Sequence, residues 1–260
     1  MKIREVVDAL ERFAPLPLQE DYDNAGLQLG LTDSQEVSGA LLCLDVTEAV
    51  VDEAVALGCN LIVSHHPLIF RPLKHLTDEN QVQRTVRKAI VNNVALISMH
   101  TNLDNAMGGV NWKMAEIIGA YVGKREEGSA LDLKASPMPL FAELPESMAA
   151  DEFIQLLKKR FKVECVMANE LLKRPIRKVA ICGGAGDFML PDAVRAGADA
   201  FITGEMHYHQ YFGYEQMLQI CVIGHYESEQ YTAEVFRDLL EPLGVVCHIA
   251  KTQTNPIVYI

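Results

Sequence analysis

Residues 40–67 read ALLCLDVTEAVVDEAVALGCNLIVSHHP, and this stretch decides the fold. Ala40-Leu41-Leu42-Cys43-Leu44 is short and apolar at every position, the pattern of a strand buried on both faces. From Thr47 to Leu57 the spacing turns helical, with Val51, Ala54 and Val55 expected inward and Gly58 closing the helix. Leu61-Ile62-Val63 then begins a second buried strand. A strand, a helix and a strand in so short a span form a βαβ unit, which pairs its two strands in a parallel sheet.

The same alternation extends in both directions. Ile3, Val6, Val7, Leu10 and Phe13 fall at helical spacing, and Pro15 and Pro17 end that helix. Asp21 to Gly30 reads as a polar, glycine-punctuated loop. A helix is expected over about 78–92, a strand at Val94 to Ser98, and after Gly108-Gly109 a helix through Trp112, Met114, Ile117 and Ile118. Residues 120–150 are less periodic and hold Pro137, Pro139 and Pro145, which marks a connection or domain boundary. Phe153, Leu156 and Leu157 announce another helix, and Lys178 to Cys182 opens a second α/β run. That run repeats the first at an offset of 139, which sets Leu42 on Ile181, Ala54 on Ala193, Val55 on Val194, Gly58 on Gly197, Ile62 on Phe201, Val63 on Ile202 and Ser64 on Thr203. The expectation is an α/β protein of two similar halves, residues 1–122 and 123–260, arising by internal duplication.

Composition narrows the class. The chain has 260 residues, with 23 Lys+Arg against 35 Asp+Glu, a net charge of −12 and 49% hydrophobic residues. That is an ordinary globular balance, and an acidic surface gives no generic affinity for nucleic acid. No apolar run approaches a membrane span and the N-terminus lacks a signal-peptide layout, so a cytoplasmic protein is expected. The six cysteines (Cys43, Cys59, Cys165, Cys182, Cys221 and Cys247) form no C-x-x-C pair and mostly sit in apolar runs, which reads as packing rather than chemistry.

In parallel α/β sheets ligands bind beyond the carboxyl ends of strands. Three such ends carry polar clusters: Ser64-His65-His66-Pro67, His100-Thr101-Asn102-Leu103-Asp104, and Gly224-His225-Tyr226-Glu227-Ser228-Glu229. Imidazole and carboxylate together suit Zn, Mn, Fe and related divalent ions. His65 and His66 diverge along an extended backbone and can serve two ions, and Pro67 favours that conformation at His66. His225 and Glu229 share one helical face, and Asp104 is placed to bridge two ions. For Thr203-Gly204-Glu205-Met206-His207-Tyr208-His209, the counterpart of the Ser64 cluster, ligation, support of ligands, substrate contact and strand capping all stay open. Gly183-Gly184-Ala185-Gly186-Asp187 follows a strand as a phosphate-cradling turn does, but lacks the Lys-Ser/Thr of a P-loop.

Asp21 to Gly30, the Ser64 and His100 clusters, Gly204-Glu205 and His225-x-x-x-Glu229, taken in order, resemble the GTP cyclohydrolase 1 type 2 family, also called the Ngg-interacting-factor-like family. The resemblance spans essentially the whole chain; one departure is Tyr22, where the family frequently has Trp. It implies two intertwined three-layer α/β/α domains, the C-terminal part returning ligands to the first-half site. It also implies two divalent metal ions held by His65, His66, Asp104, His225 and Glu229, and a homo-oligomer, a ring-shaped homohexamer. The implied activity is hydrolytic opening of the guanine imidazole ring of GTP with release of formate, His100 and Glu205 moving protons. The alternative in another class is a non-catalytic metal-binding or regulatory protein that acts through partner proteins.

Overall fold

The computed structural model describes residues 1–30, 35–123 and 138–260. In chain order the elements are α1 (Ile3–Phe13), β1 (Gly26–Leu29), β2 (Ala40–Cys43), α2 (Glu48–Ala56), β3 (Leu61–Ser64), α3 (Gln81–Val91), β4 (Ala95–Ser98), α4 (Thr101–Asp104) and α5 (Val110–Ile118). There follow β5 (Leu140–Met148), α6 (Ala150–Phe161), β6 (Met167–Ala168), β7 (Ile176–Ala185), α7 (Leu190–Arg195), β8 (Ala200–Glu205), β9 (Gln219–Val222), α8 (His225–Glu229), α9 (Thr232–Leu240) and β10 (Cys247–Ile249). They divide into two compact units, Met1–Ala106 with Thr232–Ile260, and Met107–Tyr231. This division differs from a cut at 122/123: the chain leaves the first unit, completes the second, and returns to add α9 and β10. The return is a pairing effect, because β10 lies parallel to β2, with Cys247 opposite Ala40 and Ile249 opposite Leu42.

The first unit carries a five-stranded sheet in the order β1-β4-β3-β2-β10. Thr47 caps α2 by accepting the Val50 N–H at 3.3 Å, and Gly58 ends the helical segment with φ +72°. On one face Leu41, Ile62 and Leu96 pack against Val50, Val51 and Ala54 of α2 and Ala89 of α3. Val50, not Val55, completes the inward stripe; Val55 is 43% exposed, because burial of Val51 and Ala54 turns it outward. Helices α1 and α9 contact strands β1, β2 and β10 of the same sheet. The expected loop at 21–30 contains a strand: β1 pairs antiparallel with β4, Gly26 opposite Ser98, at the edge of the sheet. Edge pairing can recruit a segment too short and too polar to announce itself.

The second unit repeats the plan, with sheet order β5-β7-β8-β9-β6. Val179, Ile181, Ala200, Ile202 and Cys221 pack against Phe153, Leu157 and Phe161 of α6 on one face. Ala180, Cys182, Phe201, Ile220 and Val222 pack against Leu190 and Ala193 on the other. Alternate strand residues thus serve opposite layers, and each fully buried phenylalanine contributes about 1.5–3 kcal/mol. Pro145 falls in edge strand β5, in the span between Glu143 and Met148 where register with β7 shifts. Pro137 lies outside the described residues.

The duplication appears as register. Ala40 faces Leu61 and Cys43 faces Ser64 across β2 and β3; Val179 faces Ala200 and Cys182 faces Thr203 across β7 and β8. Every pair is related by the offset of 139. Gly58 and Gly197 repeat the same left-handed turn, with φ of +72° and +70°. Cys43 and Cys221 are buried, and burial pushes both thiols up, away from reactivity. Among the described residues no helix is long and apolar enough to cross a membrane.

Candidate metal centre

In the first unit, two strand ends, those of β3 and β4, bring histidines together. Parallel pairing carries into the loop after β3, where His65 N–H donates to the Cys43 carbonyl at 3.2 Å and His66 N–H to that of Leu44 at 3.0 Å. Ser64 Oγ and Ser98 Oγ, one at each strand end, both donate to the His66 carbonyl, at 2.9 and 3.3 Å. The backbone of the His-His pair is therefore fixed from two strands. His100 caps the short helix α4, its N–H donating to Asn102 Oδ1 at 2.9 Å, while Asn102 Nδ2 donates to the Ala14 carbonyl at 2.8 Å. One ligand atom each from His65, His66 and His100 lies within 4.8 Å of the others.

Each imidazole is oriented through Nδ1. His65, fully buried, holds the Met99 carbonyl at 2.8 Å. A carbonyl only accepts, so Nδ1 carries the hydrogen, which in the neutral ring leaves the lone pair on Nε2. His66 Nδ1 bonds Asp45 Oδ1 at 2.8 Å and His100 Nδ1 bonds Asp23 Oδ1 at 2.7 Å. Tethering of one ring nitrogen by a carboxylate or carbonyl is what makes the other a well-aimed metal ligand. His65 Nε2 lies 3.8 Å from Asp104 Oδ1. Two acceptors facing each other at that distance suit a cation between them, and Asp104 is itself 9% exposed.

Asp23 and Asp45 escaped the sequence reading. Burial alone would raise the carboxyl of Asp23, but hydrogen bonds from His100 and Thr101 outweigh it and hold it down at about 2. Asp45 is steadied by Thr254 Oγ1, which donates to its Oδ2 at 3.0 Å. The only available signal was weak: Asp45 directly follows a buried strand, and Asp23 lies in the polar 21–30 segment.

In the second unit, His225 and Glu229 sit on α8 as the i, i+4 spacing requires, with Nε2 to Oε2 at 3.1 Å. Glu205 Oε2 holds His225 Nδ1 at 2.9 Å. With a carboxylate at each nitrogen, the imidazole needs either a second ring proton or a metal ion to balance the pair. The glycines around it leave no room for side chains. A Cβ on Gly204 would lie 2.5 Å from Ser228 Oγ and 2.9 Å from His225 Cα, and one on Gly184, at φ +61°, would run into Glu229 Oε1. The run 183–187 is not a phosphate cradle. Its Gly183, Gly184 and Gly186 N–H groups donate to Asn111 Oδ1, Ser228 Oγ and Thr203 Oγ1 at 2.8, 3.1 and 3.0 Å. Thr203 acts as a strand cap, and exposed His207 bonds Asp187 at 2.8 Å, which raises its pKa. His209 packs with Tyr208 and Phe212 in a ring cluster.

Two α/β units, with histidines and carboxylates gathered at strand ends and the imidazoles tethered through Nδ1, define a class of protein with groups able to bind metal ions. The family profile described as Duf34/NIF3 (NGG1p interacting factor 3) matches residues 1–256, and the chain belongs to that family. Relatives include a GTP cyclohydrolase 1 type 2 homolog of Clostridium perfringens, 36% identical over 88% of this chain and 87% of that protein. A NIF3-like protein 1 of Drosophila melanogaster is 30% identical over 99% of this chain and 89% of that one. The crystal structure of a Staphylococcus aureus protein superposes with a TM-score of 0.87 at 28% identity, covering 100% of this chain and 99% of that one. A Bacillus cereus protein related to NIF3, 23% identical, shares the fold with a TM-score of 0.84, covering 100% of this chain and 99% of that one.

Proposed function

We propose that this protein is a dinuclear metal-dependent hydrolase that opens the imidazole ring of GTP or a similar nucleotide, releasing formate. The observation that carries the reading is the gathering of His65, His66 and Asp104, with His65 Nε2 facing Asp104 Oδ1 at 3.8 Å and the Nδ1 atoms of both histidines engaged by acceptors. The donor chemistry fits divalent metal such as Zn, Mn or Fe. The proposed ligand set is His65, His66, Asp104, His225 and Glu229, which would hold two ions between them, and the family resemblance supports that reading. A divalent ion at these residues supplies a lowered pKa for water and positive charge for the ring and phosphates. His100, aimed by Asp23, is the proposed proton carrier at Nε2. Glu205 orients His225 through Nδ1 and is the second proposed proton carrier. The chain is proposed to work in the cytoplasm as a homo-oligomer, a hexamer by family resemblance.

The test is elemental analysis of the purified protein, incubation with GTP and an assay for formate. Two ions per chain with formate release is expected; a fully loaded site that yields no formate overturns the cyclohydrolase reading and favours a regulatory metal-binding protein. Replacing Asp104 by Ala should abolish stoichiometric metal, and retention of two ions would defeat the ligand assignment. His100→Ala should keep both ions and lower turnover by about 10²–10⁴. Sedimentation velocity reads the oligomer.

A further inference from the structure

Ile69 is clamped on both backbone groups: its N–H donates to Gln28 Oε1 at 3.0 Å, and its carbonyl accepts from Asn24 Nδ2 at 2.5 Å. Gln28 Nε2 in turn donates to the Asn24 carbonyl at 2.6 Å. These bonds fix the next residue, Phe70, beside the histidines. Its ring lies edge-on to His100 with centroids 6.1 Å apart, and Tyr22 lies edge-on to Phe70 at 6.5 Å. The Arg71 guanidinium sits 5.3 Å above the Phe70 ring. Tyr22 is 59% exposed, so the row His100–Phe70–Tyr22 leads from the histidine cluster outward to solvent.

We propose that the face of Phe70 is a stacking platform for a planar heteroaromatic ring, with Tyr22, inclined at 66° to it, closing its outer edge and Arg71 as the partner of an anionic group on the same ligand. An aromatic face already occupied by a guanidinium is one that a flat, polarisable group can take over. Burial within the core would have been the ordinary fate of such side chains, yet Tyr22 is exposed and Phe70 only half-buried, with the backbone beside Phe70 held at Ile69 by Asn24 and Gln28. Among the described residues no carboxylate pairs with Arg71, which leaves its charge for a ligand. The ligand class is a purine-type ring bearing phosphate. The proposal rests on the hydrolase reading only in taking GTP as its probe.

The experiment is calorimetric titration of the full-length, metal-analysed protein with GTP and, separately, with inorganic triphosphate, which has the charge but no ring. Phe70→Leu should weaken GTP about tenfold or more and leave triphosphate unchanged; Phe70→Tyr should restore GTP. Tyr22→Ala should weaken GTP in the same selective manner, and Arg71→Gln should weaken both ligands. The platform is overturned if wild-type protein binds GTP no better than triphosphate, if Phe70→Leu weakens both equally, or if Phe70→Tyr fails to restore binding. GTP bound through Phe70 without formate release would sink the hydrolase reading and keep the platform. Formate release by Phe70→Leu at the wild-type KM would keep the hydrolase and sink the platform.

Discussion

The β2–β3 pair of one unit and the β7–β8 pair of the other share a register to the residue yet furnish their strand ends in opposite ways. At the offset of 139, Asp45 and His65 of the first unit correspond to Gly184 and Gly204 of the second. In the first unit the ends of β2 and β3 carry side chains, and Asp45 orients His66 while His65 faces Asp104. In the second the same places are reduced to glycine, because His225 and Glu229 reach back from α8 into the space a Cβ would fill. The difference teaches that the scaffold is fixed by packing of the layers, whereas the strand ends are free to divide donors and space between strands and helix.

The comparison can be broken most forcefully by making the second unit resemble the first. Gly184→Asp puts a carboxylate into Glu229 at a left-handed φ, and should lower the melting temperature by more than ~10 °C or prevent folding. The reverse change, Asp45→Gly, should leave circular dichroism intact and shift melting by only about 2–4 °C. Equal tolerance of the two changes in thermal melts would show that the glycines are not required by His225 and Glu229.

Next in size are the groups that aim imidazoles. Asp45→Asn should weaken metal binding about 10–100-fold in competition with a chelating dye, since the His66 tether loses its charge; unchanged affinity would refute the tether. Asp23→Asn tests stability. The carboxyl of Asp23 is held at about 2, below its ordinary 3.8, so its contribution is complete above about pH 4 and fades as pH falls through 2. The gap in melting temperature between wild type and Asp23→Asn should therefore be widest near neutrality and close towards pH 2; a gap that widens in acid contradicts the sign. The smallest effect is expected for Thr254→Ala, which removes one hydrogen bond to Asp45 worth about 0.5–1.5 kcal/mol, and should alter metal affinity by less than about tenfold.

Much of the candidate site was legible because histidines and carboxylates followed apolar strands: His65 and His66 after β3, His100 and Asp104 after β4, His225 and Glu229 after β9. What was not legible were their partners. Asp23 and His100 are 77 residues apart, and Asn24 and Ile69 are 45 apart. No local periodicity connects such pairs. The glycine run at 183–187 stayed ambiguous for a related reason: it follows a strand as a phosphate turn does without a P-loop's Lys-Ser/Thr, and the hydroxyls and amide oxygen that occupy its N–H groups come from Asn111, Thr203 and Ser228.

The sequence by itself determined the strands, the helices, the glycine turns and the repeat, because each depends on period, apolar runs and backbone freedom within a few residues. It also determined which residue types could ligate metal. Tertiary structure alone decided that a polar segment becomes edge strand β1, that residues 247–249 return to β2, and that Asp23, Asp45 and Glu205 aim the imidazoles. Those outcomes depend on which distant groups meet, and a carboxylate gains its role only when folding sets a particular histidine against it.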